Sequence, residues 1–245
     1  MRYQFVDCRY ELGDPARGRE LYLEGHVPGA SFLSLEEDLS DMSRAPASGR
    51  HPLPPADVFA ASASRAGVGP GVFVIAYDQA MTGGAARLWW LLRHFGHDDV
   101  AVLDEGIAAW KGPLRAGEEE VEAAEFVPRP RSDDAIEVEE LLARLEDGRL
   151  LVLDARVPER YRGEVEPLDP VAGHIPGARN VPFTEAFPPP EEAMRAEEIA
   201  VYCGSGVTAC VDLLALHRAG RSDARLYPGS WSEWSRRGLP NGTRR

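Results

Sequence analysis

The chain has a single lysine, Lys111, against 26 arginines. No Walker-A GxxxxGK[ST] motif can be built, so a lysine-dependent nucleotide site is excluded. The preference for arginine, with only two Asn and two Gln, reads as compositional bias rather than a functional signal. Cysteine is also scarce: Cys8, Cys203 and Cys210 form an odd set without a CxxC pair. That excludes a disulfide scaffold and a thiolate zinc site, and fits a cytoplasmic protein. Six scattered histidines show no metal-ligand spacing. Basic charge is lacking as well: 27 Lys and Arg against 40 Asp and Glu give a net charge of −13, which argues against nucleic-acid binding. No apolar run approaches the roughly 20 residues of a membrane helix. The opening MRYQFVDCRY has no apolar signal-peptide core. What remains is ordinary globular composition, 44% hydrophobic and 27% charged over 245 residues, enough for one large domain or two small ones.

The chain repeats itself. Phe5-Val6-Asp7-Cys8-Arg9 matches Leu151-Val152-Leu153-Asp154-Ala155-Arg156 through an apolar-apolar-Asp-x-Arg core, and Gly25-His26-Val27-Pro28-Gly29-Ala30 matches Gly173-His174-Ile175-Pro176-Gly177-Ala178. Val74–Asp78 matches Ile199–Cys203, and Gly106–Trp110 matches Gly229–Trp234 with one extra residue. Four blocks in one order imply two homologous domains, 1–112 and 137–245, joined by a polar, proline-broken linker over 113–136.

Each copy alternates short apolar runs with helical spacing. Leu150–Asp154, Glu198–Tyr202 and Ala224–Tyr227 read as buried parallel strands, and Val207–His217 as a helix. In the first copy Val72–Tyr77 and Val100–Leu103 read as strands around a helix from Ala85 to Phe95. The fold class is α/β, with a mainly parallel sheet flanked by helices in each copy. Such sheets bind ligands beyond the carboxyl ends of their strands, which directs attention to the loops after Tyr77 and Tyr202.

The loop after Tyr202 is Cys203-Gly204-Ser205-Gly206-Val207-Thr208, between a buried strand and a helix. Its glycines allow successive N–H groups to turn inward as an anion nest, and the helix start adds positive partial charge. A cysteine at the head of that cradle has its pKa lowered and its thiolate made available as a nucleophile. Two chemistries suit such a nest. Phosphoryl or arsenate chemistry needs an arginine six residues after the cysteine, and Ala209 stands there. Sulfur transfer, with the sulfur held as a persulfide, needs no such clamp.

The CGSGVTA loop, the paired GH[VI]PGA boxes and the duplication together resemble the two-domain rhodanese family of sulfurtransferases, over nearly the whole chain. The resemblance implies two five-stranded α/β domains with the catalytic cysteine, Cys203, only in the second. Asp78 occupies its place in the first copy, which is therefore expected to be silent. The uncharged Cys-Gly-Ser-Gly sequence is similar to the 3-mercaptopyruvate-preferring branch rather than the thiosulfate-preferring one. It implies Ser205 as proton donor to the leaving enolate, assisted by His51 and by Glu36, where the family has an aspartate. Gly204, Gly206, Val207 and Thr208 would line the cradle, and Arg160 would hold the donor's carboxylate. A second family arginine falls on Leu168; Arg162 and Arg179 are the candidates to replace it. No metal or organic cofactor is implied. The partners would be a small-molecule sulfur donor and a thiol, cyanide or thioredoxin-like acceptor. Thiosulfate:cyanide transfer and a non-catalytic persulfide carrier are the alternatives.

The remaining features read as structural. His26 and His174 recur in both copies and belong to turns, and Asp7-x-Arg9 and Asp154-x-Arg156 read as strand-end ion pairs. Cys8, Cys210 and the five tryptophans read as packing, with Trp231 and Trp234 placed to border the site. His94, His97 and His217 read as surface residues near helix ends. Glu118–Glu120 and Glu139–Glu140 read as solvated surface.

Overall fold

The computed structural model describes residues 2–242. The chain divides into two compact units, one comprising 1–41 and 53–131, the other 42–52 and 132–245. The 42–52 segment thus leaves the first copy, to which it belongs in sequence, and is part of the second unit.

In the first unit, strands β1 (Arg2–Asp7), β2 (Ser31–Phe32), β3 (Val72–Tyr77) and β4 (Val100–Val102) form a parallel sheet in the order β2-β1-β3-β4. Helices α1 (Arg17–Glu24), α2 (Ala56–Arg65) and α3 (Gly84–His94) make the connections. In the second unit, α4 (Val138–Arg144) leads to β5 (Leu150–Asp154). Then follow α5 (Pro158–Tyr161), β6 (Arg179–Asn180), α6 (Glu191–Arg195), β7 (Glu198–Tyr202), α7 (Ala209–Arg218), β8 (Arg225–Leu226) and α8 (Ser230–Arg236). Its sheet is parallel too, in the equivalent order β6-β5-β7-β8. Among the described residues, four strands rather than five are built in each. In the second unit the fifth position is a single parallel bridge, Ala135 to Leu226. There Leu226 N–H donates to Asp134 and Ile136 N–H donates to Leu226, a contact too short to count as a strand.

The repeated motifs build the same corner twice. Arg9 pairs with Asp7 at 2.7 Å and Arg156 with Asp154 at 2.6 Å, all four buried. Arg9 then donates to the Leu21 and Gly25 carbonyls, and Arg156 to that of Gly173, which ties each strand end to the turn that follows. His26 bonds the Tyr22 carbonyl and stacks on its ring, as His174 does with Tyr161. Val27 N–H donates to the Tyr77 hydroxyl and Ile175 N–H to that of Tyr202. A buried ion pair satisfied on all sides specifies geometry more than it adds stability. These histidines and Asp-Arg pairs therefore serve the fold.

The stretch between the copies is packed, and two surface expectations are corrected. The 113–131 stretch is irregular but not free. Arg115 exchanges backbone bonds with His26, and Ala124, Arg129 and Arg131 donate to Ser64, Phe95 and His94. Glu119 is not solvated: its carboxylate accepts from Gly29 N–H and pairs with Arg115. His94 and His97 are half-buried, His94 stacked on Trp90. Among the described residues no helix is long and apolar enough to cross a membrane.

Candidate active site

The carboxyl end of β7 runs straight into the cysteine loop. Ile199 to Tyr202 are fully buried apolar residues, so the strand is fixed on both faces and Cys203 begins the turn. Gly206 takes φ +77°, and a Cβ there would lie 2.6 Å from the Pro228 carbonyl oxygen, so only glycine makes this turn without strain. The next turn holds the loop from outside. Cys203 N–H donates to the Ser230 hydroxyl, while Trp231 and Ser232 N–H groups donate to the Cys203 and Gly204 carbonyls at 3.0 Å. With those carbonyls engaged outward, the loop's own N–H groups face the sulfur.

Cys203 is 2% exposed. Burial alone raises a thiol pKa. Here burial is outweighed by the Thr208 hydroxyl and by the N–H groups of Ser205, Ala209 and Gly206, so the thiol is pulled below its usual range. Gly206 N–H reaches the sulfur at 3.1 Å. Thr208 precedes α7 but its hydroxyl caps no backbone N–H of that helix, which leaves it to the sulfur. Cys8 is the contrast: burial and the charges of Asp7, Asp78 and Asp38 push it well above the usual range, which makes it inert. Cys210, fully buried in α7, lies against the Gly206 carbonyl.

Ser205 is buried, and its hydroxyl is hydrogen-bonded to His51 Nδ1 at 2.8 Å. His51 enters with the 42–52 segment, which is anchored where Arg50 N–H donates to the Ser232 hydroxyl. That segment carries Arg50 to the mouth of the loop. A Cβ on Gly204 would lie 2.7 Å from Arg50 Nη2 and 3.1 Å from Arg160 Nη1, so two guanidinium groups converge there. Arg160 is held by Glu166 at 2.7 Å and Asp169 at 3.3 Å, and Arg50 pairs with the other oxygen of Asp169.

Sequence reading missed Arg50, Glu166 and Asp169. Arg50 was signalled only by its place beside His51. Arg162 and Arg179 do not take the role expected of them: Arg162 pairs with Glu164 and Glu159, and Arg179 with Glu192. Leu168 is part-exposed and contributes its N–H to Glu166. Trp231 and Trp234 are wholly buried; Trp231 packs beneath the Arg156 guanidinium. Glu36 lies in the first unit after β2, half-buried, with its carboxyl pushed up by desolvation. One more group was missed: Asp212 in α7 is 2% exposed, neither carboxyl oxygen has a hydrogen-bond partner, and burial, Cys203 and Asp154 push its pKa well up.

A lowered-pKa cysteine in an N–H nest at a strand end, in the second of two repeated parallel-sheet units, defines a thiolate enzyme built for an anionic or sulfur-bearing group. The chain belongs to the rhodanese family: the Rhodanese-like domain matches twice, over residues 1–113 and 137–237. A Pseudomonas aeruginosa protein named "Probable 3-mercaptopyruvate sulfurtransferase" is 44% identical, over 94% of this chain and 88% of that protein. The human 3-mercaptopyruvate sulfurtransferase is 36% identical, over 97% and 86% respectively. The crystal structure of a 3-mercaptopyruvate sulfurtransferase from Escherichia coli superposes with a TM-score of 0.80 at 33% identity, covering 94% of this chain and 92% of that one.

Proposed function

We propose that the chain is a sulfurtransferase that moves the thiol sulfur of 3-mercaptopyruvate, as the outer sulfur of a persulfide on Cys203, to a thiol or cyanide. The observation that carries this reading is the buried Cys203 sulfur, whose ionised form is favoured by loop N–H groups and Thr208. The thiolate attacks the donor sulfur. An S–S bond forms, the donor's C–S bond breaks, and its electron pair leaves as the enolate of pyruvate. The inner sulfur loses its charge as it becomes the persulfide, and the N–H groups hold whichever sulfur is anionic. Ser205 delivers a proton to the enolate and recovers one through His51, whose ring nitrogen is in hydrogen-bond reach. Arg160 and Arg50 fix the donor's carboxylate over Gly204. An acceptor thiolate then attacks the outer sulfur, carries it off, and returns Cys203 as thiolate. Neither step calls for a metal or organic cofactor. The first domain, 1–112, is silent because Asp78 replaces the nucleophile, and a thiol-dependent cycle suits the reducing cytoplasm.

The test is mass spectrometry and turnover with each donor. Treatment with 3-mercaptopyruvate should add one sulfur atom to Cys203, and cyanide should remove it as thiocyanate. Full transfer by Cys203→Ala would overturn the mechanism. A persulfide that no small acceptor discharges would favour a sulfur carrier, and a higher kcat/KM for thiosulfate would reassign the donor.

A further inference from the structure

The arginines at the mouth of the loop are not free cations. Asp169 has a side chain with no solvent exposure, and it divides its two oxygens between Arg50 and Arg160. Glu166, with 3% side-chain exposure, takes Arg160 on both oxygens and shares one of them with Arg156. Asp154 completes the row on Arg156. Three guanidinium groups are thus matched by three carboxylates, all within one unit. The cluster can present directed N–H donors, because a guanidinium has five and its carboxylate partners use only some. It cannot present much net positive charge.

We infer that Asp169 is the specificity-determining positioning residue of this site. It aims Arg50 and Arg160 at Gly204 while cancelling their charge, so the site accepts a donor with one carboxylate and a neutral sulfur end and discriminates against a compact dianion such as thiosulfate. The inference rests on the sulfurtransferase reading. Hydrogen-bonding geometry serves a monoanion whether or not the cluster carries net charge. A dianion brings a second charge toward a cradle already occupied by the Cys203 thiolate, and the neighbouring Asp169 and Glu166 add repulsion that no unpaired cation offsets. Leu168, beside Asp169 and part-exposed, adds no charge at the rim.

The experiment compares kcat/KM for thiosulfate and 3-mercaptopyruvate, with cyanide as common acceptor, in the wild type, Asp169→Asn and Glu166→Gln. Asp169→Asn keeps an oxygen for one arginine and uncovers a positive charge. The thiosulfate-to-mercaptopyruvate ratio should rise about tenfold or more, through KM for thiosulfate, and the gain should shrink as ionic strength increases. Glu166→Gln removes one negative charge from the same ion-pair row and should move the ratio the same way; it keeps the inference testable should Asp169→Asn fail to fold. Equal losses on both donors, or a ratio unmoved in both variants, would overturn the role of Asp169 and leave it a structural acid. Failure of the sulfurtransferase reading looks different: the wild type would transfer sulfur from neither donor.

Discussion

Replacing Thr208 by valine tests the most consequential feature of the site, the balance that ionises a buried thiol. The hydroxyl is the largest single group opposing the burial of Cys203, ahead of the three loop N–H groups. Valine keeps the shape and removes the donor. Because the threonine side chain caps no N–H of α7, the helix start does not depend on it. A hydrogen bond to a charged acceptor contributes about 1.5–3 kcal/mol. At about 1.4 kcal/mol per unit, its loss should raise the Cys203 pKa by about 1–2 units. The N–H groups of Ser205, Gly206 and Ala209 remain, so part of the depression should persist. At a pH below both midpoints, the thiolate fraction falls about 10- to 100-fold. The assay is the rate of alkylation by iodoacetamide against pH, without donor, with Cys203→Ala giving the background. The acidic limb of kcat/KM should move upward by the same amount. An alkylation midpoint unchanged from wild type would refute the assignment of thiolate stabilisation to this hydroxyl.

Ser205→Ala should lower kcat with 3-mercaptopyruvate by about 10²–10⁴-fold, the usual range for a lost proton donor, and spare thiosulfate, whose leaving group needs no proton; His51→Gln should do the same, and the double variant should lose no more than either alone if the two form one relay. Gly206→Ala forces a left-handed turn on an L-residue and drives its Cβ against the Pro228 carbonyl, so both turnover and conformational stability should fall, the latter by about 1–3 kcal/mol in chemical denaturation. Asp212→Asn should change how stability depends on pH. The raised pKa means the folded state holds a proton that the unfolded chain releases above its ordinary carboxyl range. The associated stability is therefore full at low pH and is lost as pH rises toward the folded pKa. The variant should gain on the wild type by up to about 1.4 kcal/mol per pH unit as pH rises from the ordinary carboxyl range toward the folded pKa, and a flat difference would show that Asp212 does not hold its proton.

The strands that position the site were legible because parallel strands buried on both faces read as short apolar runs. Val72–Tyr77, Leu150–Asp154 and Glu198–Tyr202 stand where the pattern put them. Helix starts shifted by a residue or two for a local reason: in α7 the loop glycines and Thr208 are spent on the cysteine, so regular helix begins at Ala209. Long-range pairing left no such trace. Arg50 meets Asp169 across 119 positions, and the sequence around each shows only an ordinary polar residue. Glu119 sat in an acidic run that composition assigns to solvent, yet the Gly29 N–H and Arg115 claim it. Asp212 falls within an apolar helical stretch, where spacing marks a buried position but says nothing of a partner.

The loops that follow β3 and β7 place different atoms in the same kind of corner. In the second unit the N–H groups converge on a sulfur. In the first, Asp78 stands at the same position, buried, and its carboxylate accepts from the N–H groups of Thr82, Gly83 and Ala85 at 3.0–3.2 Å. The cradle is kept and an anion still fills it, but the anion is hard oxygen bonded to the chain. It cannot take up a sulfur atom, and those three N–H groups are spent on it. Anion-binding geometry is therefore a property of the strand-loop-helix corner, which both copies share. Reactivity is a property of the one atom placed in it. A sulfur there can ionise, attack and be regenerated, and the loop's remaining sequence matters through how it sets that atom's charge. That separation is what the duplicated chain displays: one corner closes on its own aspartate, and the other holds the Cys203 sulfur in its place.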